Sequence, residues 1–61
     1  MTKTELAESL VVLAELMEHN AVGMRECGHR EWEGELFEHA DELDGAAEMA
    51  RGWAQGLREE A

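Results

Sequence analysis

Residues 31–58, EWEGELFEHADELDGAAEMARGWAQGLR, carry the pattern that decides the fold. Within them Trp32, Leu36, Ala40, Leu43, Ala47, Ala50, Ala54 and Leu57 follow one another at spacings of 4, 4, 3, 4, 3, 4 and 3. That is a heptad-like apolar seam, the mark of one face of a helix. The spacing predicts a helix over 31–58. Asp44-Gly45 is a turn dipeptide as well as a tolerated helical pair, so both a single rod and a break near Gly45 are compatible with it. Gly34, Gly45, Gly52 and Gly56 project within about 40° of each other, opposite the seam. They are weak helix formers on a solvated face, or a second line along which another backbone approaches.

Upstream, residues 3–22 read as a second helix. Thr2 and Glu5 have capping-box spacing, in which a hydroxyl and a carboxylate each satisfy a free backbone N–H. Leu6, Leu10, Leu13 and Met17 then form a stripe at helical period, flanked by Ala7, Ala14 and Ala21. Val11, Val12 and Leu16 fall outside that stripe, which leaves this helix apolar over more than half its circumference and in need of a second partner surface. Asn20 and Gly23 mark a stop, and residues 23–30, GMRECGHR, form the connector. Isoleucine is absent, valines number three, and nothing alternates with period two, so strands are not expected. The expected fold is all-α, a single domain over 1–61 built as a helical hairpin or a bent chain of two to three helices. Two helices alone enclose little core, and Phe37, Met49 and Trp53 lie off the seam, so a homodimer or burial against a partner protein is the expected remedy.

Composition narrows the chemistry. Fifteen acidic residues against five basic ones give a formal charge of −10 in 61 residues. Direct nucleic-acid binding and anionic membranes need a basic patch, and there is none. No apolar run approaches the ~20 residues that span a bilayer, and no signal-peptide pattern opens the chain. One cysteine makes neither an internal disulfide nor, by itself, a four-ligand zinc site. The expectation is a soluble protein of a reducing compartment such as the cytoplasm, with no cofactor. The echo ELMEH (15–19) and ELFEH (35–39) pairs Glu15 with His19 and Glu35 with His39, and Cys27 and His29 lie between. Carboxylate-bridged metal bundles use Glu-x-x-His instead, and the two pairs project to faces that do not converge, so no metal is expected. Ser9, the only serine, has no histidine within helical reach, and a pocket for activating Cys27 is hard to build at this size. No enzymatic activity is expected.

The charge excess is concentrated. Glu31, Glu33, Glu35, Glu38, Asp41, Glu42, Asp44 and Glu48 follow with no lysine or arginine between them, and Arg30 and Arg51 stand at the two ends. On a helix roughly 27 Å long this is about one charge every 3.4 Å, close to the phosphate spacing along one DNA strand. Acidic helices ordinarily balance Glu against Lys at i,i+4, and this one does not. Such a rod can occupy the basic groove in which another protein holds nucleic acid, and Trp32 and Trp53 are candidate anchors, Trp32 also fitting the core seam. A solvated face that maintains solubility is the competing reading.

In size, acidity and lack of a catalytic constellation, the chain resembles the small DNA-mimic inhibitors made by bacteriophages, the anti-CRISPR proteins among them. The resemblance covers charge, length and residues 31–48. It implies an inhibitor that blocks the DNA-binding channel or PAM-reading site of a CRISPR effector complex. The acidic positions named above, with Trp53, are the expected partner-binding residues. Two other readings fit the same residues: a structural hairpin dimer or adaptor, and an acidic antitoxin neutralising a basic toxin.

Overall fold

The computed structural model describes residues 1–27 and 34–60. Two helices account for nearly all of them: α1, Lys3–Cys27, and α2, Gly34–Glu60. They run antiparallel as a hairpin 48 × 13 × 12 Å in extent, and no strand occurs among the described residues.

α1 starts where its cap dictates. Thr2 N–H donates to Glu5 Oε1 at 3.0 Å, and Glu5 N–H donates to Thr2 Oγ1 at 3.1 Å. Two backbone donors that the first turn leaves free are thereby satisfied reciprocally. The bond from the Thr2 backbone, then that from its side chain, holds the Glu5 carboxyl below its ordinary pKa. A carboxyl depressed in the folded state stabilises above its unfolded pKa, and that contribution is lost as pH falls through the folded one. Thr2→Ala removes the hydroxyl cap and is expected to lower Tm by a few degrees, on the order of 4 °C. Glu5→Gln should lower Tm near neutral pH, and in thermal melts its difference from wild type should shrink as the pH drops below about 4.

The end of α1 departs from the sequence expectation. Helix continues through Asn20 and Gly23 to Cys27, so residues 23–27 of the expected connector are helical. Asn20 turns its amide back along the helix, Nδ2 donating to the Leu16 carbonyl at 2.8 Å. No described glycine has positive φ, so Gly23 is an interior residue and not a left-handed cap. Packing explains the extension: Ala21 is fully buried, Met24 is half-buried, and Arg25 is tied to α2. α2 likewise begins at Gly34 and runs through Gly45 to Glu60 without a break.

The interior consists of alanine. Ala7, Ala14 and Ala21 on α1, and Ala40, Ala47, Ala50 and Ala54 on α2, are at most 1% exposed. No described side chain larger than alanine is fully buried. Ala7, Ala14 and Ala21 are seven apart, as are Ala40, Ala47 and Ala54, so each set forms a line along its helix. A single methyl lets the facing backbone come closer than a leucine would, and two such lines therefore select each other. The sequence expectation for α2 agrees, since its alanines are innermost and Leu36, Leu43 and Leu57 are half-buried beside them. For α1 it is reversed. The flanking alanines are inside, whereas Leu6 and Leu13 of the expected stripe are 40% and 43% exposed.

The glycines of α2 meet no neighbour. A Cβ placed on Gly34, Gly45, Gly52 or Gly56 finds nothing within 4 Å, so no second backbone of this chain approaches that line. Gly45→Ala and Gly52→Ala should each stabilise the helix by about 0.5–1 kcal/mol. The check is an upward shift in the chemical-denaturation midpoint with an unchanged slope.

Candidate partner-binding face

Antiparallel pairing sets which acids of α2 are free. Glu18 and Arg25 are seven apart on α1, and Asp44 and Arg51 are seven apart on α2, with the acid preceding the base in both. Reversing the direction of one helix brings unlike charges together. Arg25 reaches Asp41 at 2.7 Å and Asp44 at 2.8 Å, and Arg51 pairs with Glu18. Both guanidiniums are held above their ordinary pKa, chiefly by the hydrogen bonds they donate, to Asp41 and then Asp44 for Arg25 and to Glu18 for Arg51. Lys3 and Glu60 close the open end at 3.2 Å. These exposed pairs contribute more to register than to stability.

Of the six described acids singled out in the sequence, Asp41 and Asp44 thus have an internal cation. The signal that reveals this, the shared seven-residue spacing, becomes readable only once the hairpin register is known. Arg25 is the residue that reading the acidic segment alone misses. Glu31, Glu33 and Trp32 lie outside the described residues, as do His29 and Arg30.

Glu35, Glu38, Glu42 and Glu48 are exposed on α2 and have no ion pair or hydrogen bond within the described residues. Three of them form a line. Glu35, Glu38 and Glu42 project within about 60° of each other on the outer side of α2, at axial steps of roughly 4.5 and 6 Å. Glu48 projects towards the edge that carries Arg51, and Asp41 lies between. The accessible line is therefore sparser than the average over the whole segment, because the six described acids wrap around α2 and three of them share an outward direction.

Trp53 is 59% exposed and Met49 is 58% exposed. They continue the outer side of α2 beyond Glu42, towards the end where the termini meet. Trp53 is thus a surface residue, as an anchor must be, but it belongs to the apolar half of the hairpin and not to the acidic one.

The histidine pairs stay apart. Neither Glu15–His19 nor Glu35–His39 is hydrogen bonded, and among the described residues no group of three or more His, Cys, Asp or Glu is placed to hold a metal ion. Cys27 is a free, exposed thiol at the C-terminal end of α1, not in a loop. No described helix is long and apolar enough to cross a membrane. No family model, curated protein or solved structure matches the chain.

Proposed function

We propose that the protein is an acidic inhibitor that mimics DNA, its α2 carboxylates taking the place of phosphates in the basic groove of a nucleic-acid-binding protein. The observation that carries this reading is the line Glu35, Glu38 and Glu42, without an ion pair among the described residues, on a helix whose inward face is already committed to α1. A helix packed along its length presents charge without first paying to order itself, and a preorganised acidic surface steers a basic partner towards it. With side chains the hairpin is about two helix diameters wide, roughly 20 Å, and its 48 Å length suits a groove built for a short duplex. By resemblance in size and charge to the anti-CRISPR class, the target is a subunit of a bacterial defence complex such as a CRISPR effector, met in the host cytoplasm.

The structure refines which residues a test should touch. Reversing Asp41 would also break the tie to Arg25, which mixes loss of binding with loss of register. Glu35, Glu38 and Glu42 have no such internal role. A tagged copy used for capture from bacterial lysate should retain a basic, DNA-binding protein at low salt and release it at high salt. Captured proteins without nucleic-acid-binding activity would contradict the proposal.

A further inference from the structure

The ion pairs Arg25–Asp44 and Arg51–Glu18 lie along one edge of the hairpin. On the opposite edge the apolar side chains collect. Leu6 and Leu13 project roughly 80–100° from the alanine line of α1, and Leu16 stands farther round. Trp53 and Met49 project to the same edge from α2. Their exposures are 40%, 43% and 55% for the three leucines, 59% for Trp53 and 58% for Met49. Half-buried Leu10, Met17 and Leu57 lie at the base of the patch. Leu13, Leu16, Met49 and Trp53 share one level of the rod, because Ala14 and Met17 pack with Ala47 and Ala50.

We infer that this patch is the interface of a homodimer, in which two hairpins pack face to face as a four-helix bundle with their acidic halves at opposite ends. The first argument is that the hairpin lacks a core of its own. Among the described residues its fully buried side chains are all alanine, whereas helix pairs of this size depend on burying leucine-class side chains. A surface that the fold needs covered at all times calls for an occupant that is always present, and a second copy is. A target protein met only on occasion is not.

Area points the same way. The chain exposes 4538 Å², against about 3,950 Å² expected for a compact protein of its 6.8 kDa mass. Two chains forming a particle of ordinary compactness would expose roughly 6,600 Å² and so cover about 2,500 Å² between them. That exceeds the roughly 1,600 Å² of a standard stable interface.

Charge decides both the occupant and the orientation. Between Leu6 and Leu16 on α1, and between Met49 and Leu57 on α2, this edge carries no charged side chain in helical projection. A copy of a −10 chain can therefore lie against it with its carboxylates directed away. Towards the connector the same edge carries Glu35 and Glu42. A two-fold axis parallel to the rods would stack these on their counterparts. An axis perpendicular to the patch, passing near Leu13 and Trp53, sends the two acidic halves in opposite directions and keeps like charges apart. This inference stands whatever those acidic halves bind.

Sedimentation equilibrium of the full chain, with distance measurement between spin labels on Cys27, tests both parts. Cys27 is the sole cysteine and is exposed, so it labels without mutation. The expected mass is twice 6.8 kDa at micromolar concentration. The expected label separation is on the order of 40 Å, since Cys27 lies about 14 residues from the axis level. Leu13→Glu with Leu16→Glu should abolish the doubled mass, and Trp53 fluorescence in a Trp32→Phe background should become readily quenched. A folded wild-type chain of single mass throughout that range would overturn the dimer. A doubled mass with labels within about 20 Å would overturn the opposed orientation, and a doubled mass that survives the glutamates would overturn the assignment to this patch.

Discussion

Replacing Ala47 with leucine is expected to unlock the hairpin. Ala47 is fully buried and packs with Ala14 and Ala50 at the centre of the seam. Leucine is the stronger hydrophobe and, on an isolated helix, nearly as good a helix former. Judged by composition alone the change should be harmless or stabilising. The geometry forbids that result, because two lines of methyl groups hold the helices near enough that three extra carbons have nowhere to go. Overpacking of this kind costs about 1–3 kcal/mol, which in a chain this small is a Tm drop of roughly 10–20 °C. Gly52→Leu is the control. Gly52 lies on the side of α2 away from both α1 and the apolar patch, a Cβ there meets nothing within 4 Å, and the added bulk should not lower Tm. Thermal melts of the two variants followed by circular dichroism separate the alternatives, and equal melting temperatures would mean that alanine is not what sets the helix spacing.

The second large effect is on binding. Glu35→Lys, Glu38→Lys and Glu42→Lys together reverse the free carboxylate line and leave the pairs of Arg25 and Arg51 untouched. Charges that meet a basic groove as phosphate surrogates become repulsive when reversed, and juxtaposed like charges cost several kcal/mol. The triple variant should lose at least about 100-fold in affinity for the captured target, or about 2.7 kcal/mol. Its helicity should remain at the wild-type level, because these exposed side chains make no ion pair or hydrogen bond among the described residues. Glu48→Lys, on a different side of α2, should cost much less. A triple variant that binds as well as wild type would remove the acidic line from the mechanism.

The helical hairpin was legible in the sequence because the seam from Leu36 to Leu57 keeps its period through Gly45 without interruption. What the sequence left ambiguous was which apolar residues face the partner helix in α1. Hydropathy ranks Leu6, Leu10, Leu13 and Met17 above Ala7, Ala14 and Ala21, yet the closest approach of two helices selects the smallest side chain. The repeat of alanine at seven in both helices is the signal that resolves it, and it becomes informative only when the two helices are considered together. The end of α1 was obscured for a related reason. Gly23 weakens a helix by about 1 kcal/mol, but Ala21 is fully buried, Met24 is half-buried and Arg25 pairs with Asp41 and Asp44, and that packing carries the helix on to Cys27. Of the candidate site, charge and position were readable, and pairing was not. Asp41 and Asp44 look as free as Glu38 and Glu42 until Arg25 is brought across from α1.

Competition with duplex DNA for the captured target is the measurement that bears most directly on the proposed mimicry. Fluorescence anisotropy of labelled duplex bound to the target, titrated with wild-type protein, should fall to the value of free DNA. The protein's apparent affinity should weaken steeply as salt is raised. A ternary complex, in which target, protein and DNA remain bound together at saturation, would contradict the claim that α2 occupies the place of DNA.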